Sequence, residues 1–77
     1  MIKDIQYTDK DTALVTAVSK ISGKERVWEM PITSDQIYDW KANNRKIQDV
    51  FPHLSADQRE FLISGVTPWE WDKLFNN

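Results

Sequence analysis

Few residues of this sequence have side chains suited to catalysis or metal binding, and His53 is the single histidine. Ser55, two residues later, could be activated by an imidazole as a nucleophile, and Asp57 could add a carboxylate. A zinc site needs further His or Cys ligands, however, and the stretch from His53 to Asp57 crosses the start of a predicted helix. We therefore interpret His53 as a loop residue and Ser55 as the cap of that helix.

The carboxylates complete no catalytic or metal-binding motif either. Asp9 and Asp11 have the spacing that opens a calcium loop, but such a loop needs Gly at its sixth position and Glu at its twelfth, where this sequence has leucine and lysine. Glu25 and Glu29 share a strand face, and paired carboxylates can do acid–base chemistry. On a short exposed strand we interpret them as part of a solvated surface.

Two absences narrow the chemistry further. The chain has no cysteine and only two glycines, which excludes disulfides, thiolate catalysis and a glycine-rich phosphate loop. We therefore expect a protein that is not an enzyme and that binds no cofactor and no metal.

Two clusters of basic residues indicate nucleic-acid binding as an alternative function. One flanks a predicted hairpin turn and the other flanks a helix corner, and both kinds of element are known to touch DNA. The clusters are Lys20, Lys24 and Arg26, and Lys41, Arg45 and Lys46. Because the net charge is -2 and acidic residues are interspersed, the same lysines and arginines are also explained as solubilising an edge strand and a loop.

Trp69 is the residue that most favours a protein partner. On the last predicted helix it lies about 200° around the axis from the apolar face, next to Asp72 and Lys73. A tryptophan on a polar face is typical of an interface, but it could instead fold over the hairpin and complete a small core. Lys73, and Tyr38 on the first helix, complete the predicted partner-binding set.

The first 32 residues predict β-structure. An alternating run over residues 3–8 leads to a turn at residues 9–11. A second strand follows over residues 12–22, and its apolar pattern indicates partial cover on both faces. After a turn at residues 22–24, a third strand places Trp28 and Met30 on one face, and it ends at a proline. The prediction is a two- or three-stranded antiparallel meander.

From Thr33 onward the sequence predicts three to four short helices. Capping boxes occur at residues 33–36, 55–58 and 67–70, each with Ser or Thr followed three positions later by Gln or Glu. Between the first two lies a short amphipathic segment, residues 47–51, ended by a proline. The predicted core of this half consists of Phe51, Leu54, Phe61, Leu62, Trp71, Leu74 and Phe75.

These elements together predict one α+β domain over residues 1–77, with the meander in residues 1–32 and the helical part in residues 33–75. Its 77 residues suffice for one domain, and nine aromatic side chains would let so small a core bury enough surface. The start of the chain lacks the apolar run of a signal peptide, and no stretch is long enough to span a membrane. We expect a cytoplasmic protein.

The helical half resembles a family of small bacteriophage-encoded proteins. Their pattern runs Ile-Gln-x-x-Phe-Pro-x-Leu-Ser, then Arg-Glu-Phe-Leu, then Gly-x-Thr-Pro-x-x-Trp, and matches residues 47–55, 59–62 and 65–71 within a similar region of about residues 31–75. Trp69 departs from the acidic or polar residues usual at its position. The resemblance implies a phage or prophage origin and action in the host cytoplasm, and carries over no catalytic residue. We therefore expect a phage-type accessory protein that binds another protein.

Overall fold

The computed structural model describes residues 2–70 and confirms the α+β class. The strands are β1 (Ile2–Asp9), β2 (Thr12–Val18) and β3 (Glu25–Met30), and the helices are α1 (Ser34–Lys41), α2 (Ile47–Val50) and α3 (Ala56–Ser64). Residues 68–70 are helical as well. The predictions made for Trp71, Lys73, Leu74 and Phe75 lie outside the described residues.

The three strands form an antiparallel meander with β2 in the centre. Alternation along β2 buries Ala13, Val15 and Ala17 completely on one face, and leaves the residues between them partly exposed on the other. One face of β2 is therefore completely covered and the other is half buried, in place of the predicted partial cover on both. The small alanines let the helices approach one face closely, while the opposite face of the sheet, the open face, carries no described helix.

The turn between β2 and β3 is longer than predicted, because β2 ends at Val18 and not at residue 22. Ser19 begins the turn: its hydroxyl accepts hydrogen bonds from the N–H groups of Ile21 and Ser22 at 3.2 and 3.3 Å. The Lys20 N–H donates to the Ser64 carbonyl at the end of α3, at 3.0 Å. The last part of the predicted strand is thus a turn, which is held by the Ser19 hydroxyl and by the hydrogen bond from Lys20 to α3.

The first two capping boxes are confirmed. Thr33 caps α1 and Ser55 caps α3, and in each case the glutamine three residues later returns a hydrogen bond to the cap. Residues that adopt left-handed angles follow both helices: Asn44 has a φ of 57° after α1, and Gly65 is left-handed at the end of α3. Local capping chemistry therefore decides both helices.

The third capping box is wrong. The Glu70 N–H donates to the Thr67 carbonyl, and within residues 2–70 the buried Thr67 hydroxyl has no hydrogen-bond partner. The Glu70 carboxylate binds Ser19 and Arg26 instead of returning to the cap. A long-range ion pair has displaced a local hydrogen bond: Arg26 brings a full positive charge to the carboxylate, whereas the cap offers a neutral N–H.

The core lies between the covered face of the sheet and the helices. Its largest fully buried side chains include Phe51, Phe61, Met30 and Ile32. Leu54 and Leu62 are buried too, which confirms the part of the predicted helical core that is described. Helix α1 has no fully buried residue: its Ile37 and Trp40 are partly buried and pack against the core.

Candidate partner-binding site

Three aromatic rings are in contact in a row from the core to the surface, and the middle one belongs to β3. Phe61 of α3 is fully buried and meets Trp28 edge-on at 5.5 Å between ring centroids. Trp28 in turn contacts Trp69 at 5.6 Å, and Trp69 is 49% exposed. We call Trp28 and Trp69 the aromatic ledge. Such ring pairs are worth about 0.5–1.5 kcal/mol beyond the area they bury, so the ledge holds Trp69 in one place while half of it faces solvent.

A buried ion pair lies beside the aromatic ledge. Alternation along β3 puts Arg26 on the same face as Trp28, and its Nε donates to Glu70 Oε1 at 2.6 Å. The Ser19 hydroxyl donates to the other oxygen, Oε2, at 2.6 Å. The Glu70 side chain is 6% exposed and that of Arg26 is 30% exposed. Residues 69 and 70 are thus docked on β3 by two neighbouring contacts, one aromatic and one ionic.

The pKa of Glu70 lies below its ordinary value of 4.5 because two opposing effects differ in strength. Burial alone raises the pKa, since it penalises the charged carboxylate. The hydrogen bond from Ser19, and the hydrogen bond and positive charge of Arg26, together lower it more. Glu70 is therefore ionised at neutral pH, as an acceptor for both partners must be.

The β2–β3 turn is packed against the end of α3 next to this cluster. A Cβ placed on Gly65 would lie 2.4 Å from the Val18 carbonyl oxygen, so only glycine permits this approach. The Lys20 N–H also bonds to the Ser64 carbonyl. Ile21 and Ile63, the sequence neighbours of these two residues, have exposed apolar side chains.

The structure places the predicted partner-binding residues in different surroundings. Trp69 combines both readings of its sequence position, because it packs on the hairpin through Trp28 and remains half exposed. Tyr38 is 64% exposed on α1, and within residues 2–70 the structure gives no ring contact between it and Trp69. Lys73 lies outside the described residues. A role in binding stays a prediction for all three.

Three of the six residues predicted for nucleic-acid binding have partners within the protein. Arg26 binds Glu70, Arg45 Nη1 lies 3.5 Å from Asp39 Oδ2, and Lys41 Nζ lies 4.1 Å from the centre of the Trp40 ring. The remaining three are exposed: Lys20, Lys24 and Lys46. The two clusters also belong to separate elements, the β2–β3 turn and the segment between α1 and α2.

The residues considered for catalysis have structural partners. His53 Nε2 lies 2.8 Å from the Pro31 carbonyl, and Ser55 caps α3. Residues 2–70 contain no group of three or more His, Asp or Glu side chains placed to hold a metal ion. None of the helices in this part of the chain is long and apolar enough to cross a membrane.

No protein-family model, curated protein or solved structure matches this chain. What supports a function is therefore the site itself: the aromatic ledge, the ion pair beside it and the strand that carries both.

Sequence reasoning missed three residues of this site. Ser19 was assigned to a strand, Glu70 to a helix cap, and Arg26 to a free basic cluster. The ion pair joins residues 44 positions apart, and the serine contact joins residues 51 positions apart. No local pattern signals either contact. The available signal was weaker: a predicted strand face carrying Arg26, Trp28 and Met30 has a charge that needs a partner once that face is covered.

Proposed function

We propose that this chain is a small accessory protein of phage type that acts by binding another protein through the aromatic ledge. The observation that carries the proposal is Trp69, which is held against Trp28 yet 49% exposed. Tryptophan is enriched among the residues that dominate binding energy, and a ring fixed before binding loses little conformational entropy when a partner covers it. The resemblance of residues 31–75 to phage-encoded proteins supports a phage or prophage source and action in the host cytoplasm.

The test measures whether one tryptophan governs the affinity for one partner. The folded protein is immobilised, a nuclease-treated bacterial lysate is passed over it, and the captured protein is purified for calorimetry. Trp69→Ala should weaken binding at least about thirtyfold, since truncating a central aromatic costs about 2 kcal/mol or more. Tyr7→Ala is the matched control, because Tyr7 is also a half-exposed aromatic, at 46%, but lies on β1 at the other edge of the sheet.

Stability has to be followed in the same variants. Trp69→Ala removes the ring contact with Trp28 and also the burial of half the indole, so a loss of at least about 0.5–1.5 kcal/mol is expected in its free energy of unfolding. The binding assay is therefore run at a temperature where the melting curve of the variant shows it to be folded. Equal affinities for the parent and the folded Trp69→Ala protein would refute the proposal. So would the capture of no specific protein, if added oligonucleotides bind the folded protein with an affinity that falls steeply as salt rises.

A further inference from the structure

The outer edge of β3 presents backbone groups that β2 does not use. The Ser19 N–H donates to the Lys24 carbonyl at 3.0 Å, and hydrogen-bonded pairs recur at every second position of an antiparallel ladder. Arg26, Trp28 and Met30 therefore bond to β2, opposite Ala17, Val15 and Ala13. The N–H and C=O groups of the intervening residues, Glu25, Val27 and Glu29, point away from the sheet.

Because β3 is an edge strand, these outward groups have no strand partner within residues 2–70, and they make no other backbone hydrogen bond there. The side chains of the same three residues rise from the open face, where Val27 is 57% exposed between two glutamates. On the covered face, the aromatic ledge borders the same strand. An incoming strand would thus meet an acidic–apolar–acidic row on one side and two tryptophan rings on the other.

We infer that the edge of β3 receives an extended segment of the partner protein, which adds to the sheet as a fourth strand. This inference rests on the proposed function and specifies how the partner binds. Main-chain hydrogen bonds give such a strand its affinity, and alternate side chains give it specificity. The segment has the pattern basic–x–apolar–x–basic, which puts positive charges opposite Glu25 and Glu29 and an apolar residue opposite Val27. Its intervening side chains lie along the aromatic ledge and are apolar.

Charge argues against a second copy of this chain as the occupant. If two β3 strands paired antiparallel about Val27, Glu25 of each copy would lie opposite Glu29 of the other, and like charges directly opposite destabilise a sheet. A pairing shifted toward the end of β3 brings in Pro31, which has no N–H to donate. Both of these self-pairings are therefore disfavoured, whereas a strand with basic residues opposite Glu25 and Glu29 meets no such repulsion.

Two substitutions at Val27 distinguish the contribution of its backbone N–H to binding from that of its side chain. Val27→Pro removes the outward N–H and places a ring against an incoming strand, and proline is tolerated on an edge where that N–H faces solvent. Val27→Thr keeps the N–H and the β-branched shape. If the proline variant is too unstable for use, chemical synthesis of the chain with an ester in place of the Val27 amide removes the same donor and keeps the side chain.

The probe is a random peptide display library selected on the full-length protein. Enriched peptides should carry the basic–x–apolar–x–basic pattern. Their affinity should fall at least about tenfold with Val27→Pro or severalfold with the ester, as expected for lost strand pairing, and less than about threefold with Val27→Thr. Glu29→Lys should lower the affinity of these peptides. Peptides that carry an acidic residue in place of the basic residue opposite position 29 should bind that variant more tightly.

The remaining outcomes separate the two proposals. Peptides that bind the Val27→Pro and ester proteins at full strength but lose affinity with Trp69→Ala would overturn strand addition and leave binding through the ledge intact. Peptides insensitive to all of these changes would overturn strand addition and would leave the proposed function to the test with its own partner. Enrichment of acidic peptides, or of no peptides at all, would overturn the inferred strand pattern, whereas the proposed function is judged by its own partner.

Discussion

Glu25 and Arg26 are neighbours on β3, but their side chains leave the sheet on opposite faces and enter very different ion pairs. Glu25 meets Lys3 of β1 across the open face, and both side chains are at least half exposed. Arg26 meets Glu70 on the covered face, where the carboxylate is almost completely buried and is also bound by Ser19. One strand therefore carries an ion pair in water and an ion pair in the protein interior.

The difference shows how surroundings set the importance of a charge. In water, an ion pair is screened and its partners exchange freely with solvent, so it contributes little to stability. A buried carboxylate that loses its partner keeps the cost of desolvation without the compensating bond. The open face can thus exchange Lys3 for a cation from another protein, while the covered face cannot give up Arg26 without loosening residues 69 and 70.

The two glycines also differ in their surroundings, one packed and one open, and substituting them should have the largest effect on stability. Gly65 and Gly23 have nearly the same φ, 75° and 73°, but a Cβ at Gly65 meets the Val18 carbonyl and one at Gly23 meets nothing within 4 Å. Gly65→Ala should therefore cost about 3–5 kcal/mol, from the left-handed conformation plus the forced shift of packed backbone. Gly23→Ala should cost only about 1–2 kcal/mol, from the conformation alone.

Urea unfolding of the two variants beside the parent measures both values. The parent defines the reference, and the Gly23 variant is the control for backbone conformation. Equal losses in the two variants would show that α3 does not pack against the β2–β3 turn as closely as described.

The two ion pairs predict the next largest effect. Glu70→Gln keeps the shape of the side chain but removes the charge that Arg26 and Ser19 bind, so the free energy of unfolding should fall by about 1.5–3 kcal/mol. Glu25→Gln makes the same chemical change on the open face and should leave the melting temperature unchanged within error. Thermal melts of both variants compare the faces directly, and similar losses would contradict the contrast between them.

How far the sequence predicts this molecule depends on the range of each interaction. Thr33 and Ser55 cap their helices through residues three positions away, and Asn44 and Gly65 end them through their own backbone preferences. All the residues that take part in these interactions lie within a few positions of one another. These features can therefore be predicted without knowing the fold.

The site depends on contacts that no window contains. Glu70 satisfies the capping pattern, and only the position of Arg26, 44 residues earlier, shows why its carboxylate turns elsewhere. Trp69 stands out in the sequence, but its contact with Trp28 depends on which strand residues 69 and 70 lie against. The edge of β3, which no strand within residues 2–70 covers, can be located only from the strand order and the hydrogen-bond register. These are properties of the sheet and not of any segment.

The smallest predicted effect is a pH dependence that should come from only one of the two ion pairs. The folded pKa of Glu70 lies below its ordinary value of 4.5, so its contribution to stability is present above that pH and is lost as the pH falls through the folded pKa. The pKa of Lys3 is raised above 10.5, chiefly by its hydrogen bond to Glu25, so its contribution would be lost as the pH rises. Because Lys3 is exposed, solvent screening should hide that alkaline change.

Melting temperatures measured from neutral to acid pH should therefore converge for the parent and Glu70→Gln below pH 4.5. The parent loses the ionised carboxylate in that range, whereas the amide of the variant has nothing to titrate. Glu25→Gln is the control and should follow the parent throughout. Parallel curves for the parent and Glu70→Gln would mean that the carboxylate titrates alike in the folded and unfolded chains, and the buried pair with Arg26 would lose its special role.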